Sequence, residues 1–423
     1  MKEIKLKGLD ISCYTDVLDN GLEVIMLPYE NKKNYFISYA TRFGSEVTKF
    51  IPNDLDEFVK VPDGIAHFLE HKMFEQEDGV DPFQYFSESG TGANASTSFD
   101  STQYICYGTK NFEDNLRYLL TYVNQPFYTD QNVEKEKGII AEELKMYDDI
   151  PEFVLEMKLR ENIYHKSNRR IDIGGSIPEI NKITKEDLYL CYNNFYSPNN
   201  MFVLIVGNFD RKKALSIVKE VVGNIDNKSK ATIDEVVEPK DVRLKEETIT
   251  TSIKVPKIGI GIKIATDEFK YDDLMLDLYF TMISTICFGT SSEFRERVRN
   301  DKLLNSFYTE WETIDGFRTF YIMASSNDPD KLLNEIKEEL KDIVISEDAF
   351  NRMKKVWIAN EVKMIDNIDA TVSNMYDDLI KYKKVISDKV DCIRSMKLDD
   401  INKLVSKIDF TNMSVVKMIG KED

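Results

Sequence analysis

Apolar positions in the first half of the chain switch repeatedly between strand-like and helix-like spacing. An apolar run over residues 22–28 follows an Asn-Gly turn signal and predicts a strand, and residues 35–43 predict a second one. After an Asp-Gly turn, apolar residues recur at helical spacing over residues 65–74. The remaining pattern predicts helices over residues 81–89, 111–123, 130–149 and 185–196, and strands within residues 90–108 and over 201–206.

The second half repeats this plan in the same order. The segment that begins at Ile183 can be laid on the one that begins at Met396, and the segment from Gly90 on the one from Asn305. Any two α/β segments can align this loosely, but the shared order favours a gene duplication into two α/β domains. A charged stretch without apolar periodicity separates them. We therefore predict an N-terminal domain over residues 1–225, a linker over 226–244 and a C-terminal domain over 245–423.

The charge of the chain narrows the classes of partner. Among 423 residues, 56 Lys and Arg stand against 74 Asp and Glu, which gives a net charge of −18. A surface this acidic repels phosphate backbones and anionic lipids, so we expect no nucleic-acid partner and no membrane-surface role. It favours neutral or basic partners. No apolar run approaches the roughly 18 residues of a membrane span, and no signal peptide is expected at the N-terminus.

The cysteines indicate the compartment. Five of them are scattered along the chain without a CxxC pair: Cys13, Cys106, Cys191, Cys287 and Cys392. An odd, scattered set is typical of free thiols and not of a disulfide framework. We therefore expect a cytoplasmic protein.

Two of the three histidines lie four residues apart, in the segment His67-Phe-Leu-Glu70-His71. Residues four apart share one face of a helix, so both imidazoles can offer a nitrogen to one point. Zinc binds such nitrogens at about 2.0–2.1 Å. Glu70 stands at the edge of that face, where a carboxylate can deprotonate a metal-bound water as general base. The segment predicts a catalytic site with one Zn²⁺ per chain.

A catalytic zinc site needs a third protein ligand. His165 is a candidate, but it lies in a basic, polar stretch that indicates a solvated surface. Glu136 and Glu143 are two helical turns apart on one stripe with apolar residues, whereas Glu142 falls on a charged face. A carboxylate on an apolar stripe is costly unless it meets a metal or hydrogen bonds, which favours Glu143 as ligand and Glu136 as an orienting group. On spacing alone, an ordinary charged helix face remains an alternative.

The segments HFLEH, ANAST and EKEKGIIAEEL, in this order, resemble the insulinase/pitrilysin family of zinc peptidases, the inverzincins. The resemblance covers the whole chain, most strongly residues 15–210, and is closest to the half-length Gram-positive bacterial branch. It implies an α+β or α/β fold of two tandem homologous domains. Each is a mixed, mostly antiparallel sheet covered by helices. The family's domains close as a clamshell around a chamber for unfolded peptides.

The resemblance also implies the roles of the motif residues. It makes His67 and His71 metal ligands and Glu70 the general base. The family's downstream E-x6-E-L segment implies Glu136 as an orienting glutamate and Glu143 as the third ligand.

A further family segment, N-A-x-T, corresponds here to Asn94, Ala95 and Thr97. The resemblance implies that it forms an exposed strand edge beside the metal. A peptide substrate adds to such an edge as an extra strand through main-chain hydrogen bonds.

The chain departs from the family at one point. The second domain of the family usually carries an Arg and a Tyr, seven residues apart, that bind the substrate carbonyl. Here Arg299 holds the arginine position, Ser306 stands at the tyrosine position, and Tyr308 lies two residues on as a substitute. The resemblance implies a dimer. The missing tyrosine favours a heterodimer with a paralogue that lacks the metal motif over a homodimer.

These observations together predict a zinc metalloendopeptidase that hydrolyses short unfolded peptides, in the processing or degradation of ribosomally made peptides. The alternative is a non-catalytic peptide-binding or scaffold subunit, or the metal-bearing half of a heterodimer that is inactive without its paralogue. A small-molecule hydrolase is disfavoured, because a strand edge beside the motif fits an extended peptide better.

Overall fold

A computed structural model describes residues 1–227, 230–314 and 316–421 of the chain. The strands of its first half are β1 (Lys2–Leu6), β2 (Ile11–Val17), β3 (Glu23–Pro28), β4 (Tyr35–Thr41), β5 (Lys49–Ile51), β6 (Val59–Lys60), β7 (Gly92–Thr97), β8 (Thr102–Gly108) and β9 (Met201–Gly207). Its helices are α1 (Ile65–Lys72), α2 (Pro82–Glu88), α3 (Phe112–Val123), α4 (Asp130–Asp148), α5 (Pro151–Ile163), α6 (Ile177–Ile180), α7 (Lys185–Phe195) and α8 (Arg211–Val221).

The second half continues with the strands β10 (Thr232–Ile233), β11 (Glu246–Thr251), β12 (Lys257–Ala265), β13 (Ser306–Ile314), β14 (Phe317–Ser325) and β15 (Met413–Gly420). Its helices are α9 (Asp273–Phe288), α10 (Glu293–Asn300), α11 (Pro329–Lys341), α12 (Glu347–Met364), α13 (Ile368–Lys381), α14 (Lys389–Ser395) and α15 (Leu398–Val405).

Two large sheets share one strand plan. Within the described residues, the first sheet runs β1-β2-β3-β9-β4-β8-β7 and the second β11-β15-β12-β14-β13. The pairs β3/β9 and β11/β15 are parallel, and the other neighbouring pairs are antiparallel. The order β3-β9-β4-β8-β7 therefore matches the second sheet strand for strand, in order and in direction. The predicted tandem domains with mixed, mostly antiparallel sheets are confirmed.

The compact units of the structure are not contiguous in sequence. The first comprises residues 1–145, 172–235 and 361–389, and the second residues 146–171, 236–360 and 390–423. Helix α5 of the first half thus belongs to the second unit, and α13 of the second half to the first. The predicted boundaries at 225 and 245 differ from these units because apolar helices leave one half of the sequence to cover the sheet of the other half.

The first unit buries its sheet on both faces. Helices α1, α3, α7 and α8 cover one face with a large apolar core. Helix α13 covers the other, where Val372 and Met375 pack with Phe202 and Leu204 of β9. Because both faces of β9 are covered, every one of its residues is buried. This explains the unbroken apolar run that predicted the strand.

In the second unit, α5 lies against β12 and β15. The approach is close at Gly261, where an added Cβ would stand 2.1 Å from Cδ1 of Ile163. A glycine is needed at this crossing because any side chain would force the helix away from the sheet. The opposite face of this sheet packs against α9 and α11.

Although no apolar run was expected to approach a membrane span, the stretch Asp273–Asn300 is long and apolar enough, by length and composition alone, to cross a membrane. Half of its most apolar part is buried inside the protein. Within it, Phe280 and Met282 of α9 are fully buried in the second unit's core.

A buried ion cluster also belongs to the second unit. The carboxylate of Glu312 accepts hydrogen bonds from Arg160 at 2.8 Å, Arg169 at 3.1 Å and Tyr164 at 2.8 Å. Burial alone would raise the pKa of Glu312, but the two guanidinium charges overcome it and lower the pKa to about 2. The carboxylate stays ionised because its burial is fully compensated by donors.

The predicted linker is partly ordered within each unit. In the first unit, β10 pairs with β5. In the second, Glu238 accepts hydrogen bonds from the backbone N–H groups of His165, Lys166 and Ser167. Residues 228 and 229 of this stretch lie outside the described residues.

None of the five cysteines forms a disulfide, as their scatter predicted; four are buried, and Cys392 is partly exposed. The cytoplasmic location inferred from them stays a prediction.

Candidate metal centre

Helix α1, which carries the His67–His71 segment, begins at a glycine turn. Gly64 caps it with a positive φ of 87°, and its carbonyl accepts the first helical hydrogen bond from Phe68 at 2.9 Å. An added Cβ at Gly64 would stand 2.4 Å from the carbonyl oxygen of Gly174. Only glycine satisfies both demands, so the predicted turn at residues 63–64 fixes the start of the helix.

The two faces of α1 have different tasks. Ile65, Ala66, Phe68 and Leu69 are fully buried in the core of the first unit. This packing holds the helix rigid, and the intervening positions turn toward α4 and β7. They carry His67, Glu70 and His71, which are half-buried.

Helix α4 brings a carboxylate to the two imidazoles. Oε1 of Glu143 lies 3.9 Å from Nε2 of His67, and Oε2 lies 3.4 Å from Nε2 of His71. One ligand atom from each residue lies within 4.8 Å of the others. Glu142, next in the chain, is instead 75% exposed and pairs with Lys145. The structure thus brings Glu143, and not Glu142, to the histidines.

The donor set fits a zinc ion. Tetrahedral coordination at bond lengths of about 2.0–2.1 Å separates ligand atoms by about 3.3 Å, close to the distances from Glu143. Two imidazole nitrogens and one carboxylate are typical zinc ligands, and three protein ligands leave one position for water or substrate. His165, the other candidate ligand, lies in the second unit and is not part of this group.

Glu136 contacts His71 at the ring nitrogen that does not face Glu143. Its Oε1 lies 3.0 Å from Nδ1 of His71, which makes Nδ1 the protonated nitrogen and leaves Nε2 free to bind a metal. Burial opposes a charge on His71, but the bond to Glu136 and the nearby carboxylates raise its pKa. Burial would likewise raise the pKa of Glu136, yet the hydrogen bond and charge of His71, together with Lys72, lower it.

The environment of His67 differs from that of His71. Burial, and then the charge of His71, lowers the pKa of His67 to about 4, so its imidazole is neutral, as a metal ligand must be. Its buried Nδ1 has no hydrogen-bond partner within the described ranges. That nitrogen borders the backbone of Gly174, where an added Cβ would lie 3.6 Å away.

Glu70 is held by one hydrogen bond from the neighbouring strand. The hydroxyl of Thr97, at the end of β7, donates to Oε2 of Glu70 at 2.6 Å. Burial raises the pKa of Glu70 above its ordinary value, and the Thr97 bond works against this rise. A carboxylate with a raised pKa beside a metal site suits the role of a general base.

Strand β7 is one of the two edges of the first sheet, and in the part of the chain that the structure describes it pairs only with β8. The backbone N–H of Ala95 is not used for pairing with β8 and donates instead to Oδ1 of Asn94 at 2.9 Å. Asn94 itself is exposed. The structure therefore places the predicted Asn94–Thr97 segment on an open strand edge beside α1.

The predicted second-domain residues lie in the second unit. Arg299 is exposed in the last turn of α10, and Tyr308 is 58% exposed on β13, where its hydroxyl donates to Glu310 at 3.0 Å. Ser306 shares a 2.7 Å hydrogen bond with Ser325. The substitution of the family tyrosine by Tyr308 stays a prediction. Arg295, on the same helix as Arg299, donates to the Phe307 carbonyl at 3.1 Å.

Two features of the centre were not predicted. Thr97 was expected only as part of the substrate edge, and Gly174 was not considered. The only sequence signal for Gly174 is the Gly-Gly pair at residues 174–175, which indicates a tight turn but not its neighbour.

Two family models match the chain. Residues 60–175, which contain the whole donor set, match the family model described as Insulinase (Peptidase family M16). Residues 182–356 match the one described as Peptidase M16 inactive domain. The two models together span the first-half site and most of the second half.

Several known proteins match almost the whole length of the chain. The chain is 33% identical, over 100% of both chains, to the Bacillus subtilis (strain 168) protein named "Uncharacterized zinc protease YmfH". It is similar, with 29% identity and a TM-score of 0.91, to the crystal structure of an M16-like peptidase from Alicyclobacillus acidocaldarius, covering 98% of this chain and 99% of that one. A Helicobacter pylori protease structure shares the fold, with 21% identity, a TM-score of 0.83 and coverage of 97% and 99%. The chain therefore belongs to the insulinase family, peptidase family M16, as one of its half-length members.

Proposed function

We propose that the protein is a zinc metalloendopeptidase that cleaves short unfolded peptides. The observation that carries this proposal is the convergence of one ligand atom each from His67, His71 and Glu143, within 4.8 Å of one another, beside the half-buried carboxylate of Glu70. Relatives named as zinc proteases support the choice of metal. Two imidazoles and a carboxylate are the ligands of several zinc peptidases.

The residues divide the reaction between them. His67, His71 and Glu143 would hold the ion, with Glu136 orienting His71. A zinc ion there supplies Lewis-acid polarisation of the scissile carbonyl and lowers the pKa of water toward about 7. Glu70 takes the proton of the attacking water at its carboxylate and passes it to the leaving amine. Its Oε2 is held by the hydroxyl of Thr97 on β7 at 2.6 Å.

The substrate would lie along β7. A peptide carbonyl would replace Oδ1 of Asn94 as the acceptor of the Ala95 N–H, so that the peptide extends the sheet by one strand. Main-chain pairing reads the backbone, which fits a broad range of sequences. The net charge of −18 favours neutral or basic peptides over acidic ones.

We further propose that the working form is a dimer in the cytoplasm. The serine at position 306 leaves the chain without the family tyrosine, which favours a paralogue that supplies Arg and Tyr but lacks the metal motif. The alternative is a homodimer in which Tyr308 replaces the family tyrosine. If neither form cleaves peptides, the chain is a peptide-binding scaffold.

The test is cleavage of a mixed library of unstructured peptides by the purified protein, followed by mass spectrometry. Chelator-sensitive cleavage that returns on addition of zinc would support a self-sufficient peptidase. Cleavage only after a co-expressed paralogue is added would support the heterodimer. Absence of cleavage in both arms, at full zinc occupancy, would refute the enzymatic function and leave the scaffold.

A further inference from the structure

Thr97 occupies a position that joins two parts of the proposed site. Its backbone ends the open strand β7, and its hydroxyl donates to Oε2 of Glu70 at 2.6 Å. A bond this short between a hydroxyl and a carboxylate is charge-assisted and stronger than a neutral one. One side chain therefore connects the edge at which a peptide would pair to the group that would move its proton.

The direction of this hydrogen bond is fixed by the neighbours. Thr97 Oγ1 also lies 3.4 Å from Oγ1 of Thr102, but the Thr102 hydroxyl donates to the carbonyl of Phe43 at 2.9 Å. A hydroxyl carries one proton, so Thr102 has none left for Thr97. Thr102 could therefore only accept from Thr97, and it competes with Glu70 for the single Thr97 proton. The contact with Oε2 of Glu70, at 2.6 Å, is much the shorter of the two, so the Thr97 hydroxyl donates to Glu70.

The bond leaves one carboxylate oxygen available. Within the described residues, Oε1 of Glu70 has no hydrogen-bond partner, while Oε2 is held by Thr97. Rotation about the last bond of a glutamate side chain is soft, so an untethered carboxylate samples many orientations. The tether removes this freedom and keeps Oε1 available for the attacking water.

The register of β7 connects the tether to the substrate. The N–H of Ala95 does not pair with β8, and Thr97 follows two residues later, so its backbone has the same orientation. A peptide paired with Ala95 and Thr97 has its main chain at a fixed distance from the Thr97 side chain. The same residue thus sets the distance from the peptide backbone to Glu70.

We propose that Thr97 is a positioning residue that holds the carboxylate of Glu70 in register with a peptide bound along β7. This proposal rests on the proposed peptidase function. It predicts that loss of the hydroxyl slows the chemical step without weakening zinc or peptide binding.

The experiment compares Thr97→Val, which keeps the shape and removes the hydroxyl, with Thr97→Ser, which keeps the hydroxyl. We expect kcat to fall about 10–100-fold in T97V, with KM and zinc content unchanged, because misplacement of a reacting group by about 1 Å has such effects. T97S should stay within a few-fold of the wild type. The matched control is Thr121→Val on α3, whose half-buried hydroxyl also donates to a single acceptor, the Arg117 carbonyl.

A second readout needs no turnover. In crystals of the zinc-loaded protein, the wild type should show Glu70 bonded to Thr97, and T97V should show the carboxylate turned or in several conformers. A single unchanged carboxylate, or a wild-type kcat in T97V, would overturn the proposal. Failure of the peptidase function is a separate result, since it would show as wild-type protein that cleaves nothing while the crystallographic comparison still holds.

Discussion

Oε1 of Glu136 lies 3.0 Å from Nδ1 of His71, and this contact decides which nitrogen of His71 faces Glu143. A histidine without such a partner can present either nitrogen to the metal. Part of the binding free energy of the metal would then be used to select one tautomer. We therefore expect Glu136→Ala to weaken zinc affinity about 10–100-fold, as loss of a ligand's hydrogen-bond partner commonly does.

The measurement is a competition titration with a chromophoric zinc chelator. Glu136→Gln should lie between the wild type and E136A, because the amide oxygen still accepts the Nδ1 proton. Glu142→Ala, on the same helix but with its side chain 75% exposed, is the control and should bind zinc as the wild type does. Equal affinity of E136A and E142A would contradict the role given to Glu136.

Gly174 offers a second test of the centre. An added Cβ there would lie 2.7 Å from Cδ2 of Leu144 and 3.6 Å from Nδ1 of His67. Leu144 is buried and is the neighbour of Glu143 in the chain, so Gly174→Ala should displace both Glu143 and His67. We expect this substitution to lower the free energy of unfolding by about 1–3 kcal/mol and to weaken zinc binding.

The matched control for this substitution is Gly138→Ala. Gly138 lies within α4 and has nothing within 4 Å of an added Cβ. Alanine is a better helix former than glycine, so G138A should be neutral or stabilising by up to about 1 kcal/mol. Thermal melts with and without zinc would separate the two variants. A G174A protein that matches G138A in both would show that the contact is unimportant.

Glu312 predicts how stability depends on pH. Its pKa of about 2 in the folded protein lies below the ordinary value of 4.5, so the unfolded chain binds its proton more readily between these values. The stabilisation is therefore complete above about pH 4.5 and is lost as the pH falls toward 2. A shift of this size corresponds to a contribution on the order of 3 kcal/mol at neutral pH.

Urea unfolding of the wild type and Glu312→Gln at pH 7, 4.5 and 3 measures this contribution. At pH 7, E312Q should be less stable by about 3–5 kcal/mol, because two guanidinium groups lose their buried partner. The difference between the two proteins should shrink as the pH falls below 4.5. A difference that stays constant down to pH 3 would mean that Glu312 is not held ionised by Arg160 and Arg169.

Much of the centre was accessible from sequence because its geometry is local. His67 and His71 face one point through the pitch of one helix, and Glu136 and Glu143 share a stripe of another. The turn before α1 was visible as an Asp-Gly pair. These features depend on spacing within about ten residues, where periodicity is informative.

The remaining features depend on distant pairs. The side chain of Thr97 reaches Glu70 across 27 positions of the chain, and Gly174 reaches His67 from a separate segment. The exchange of α5 and α13 between the compact units also leaves no periodic signal, since an amphipathic helix shows that it packs but not against which sheet. The sequence pattern therefore predicts two contiguous domains, whereas each compact unit consists of three separate segments of the chain.

The central claim is that Glu70 acts as the base beside a metal held by His67, His71 and Glu143. The most direct test is the rate of peptide cleavage by the wild type and Glu70→Gln at equal, measured zinc content, each assayed with the partner chain if one is required. We predict full zinc occupancy in both proteins and a fall in kcat of about 10²–10⁴-fold in E70Q. Cleavage by E70Q at the wild-type rate would contradict the account.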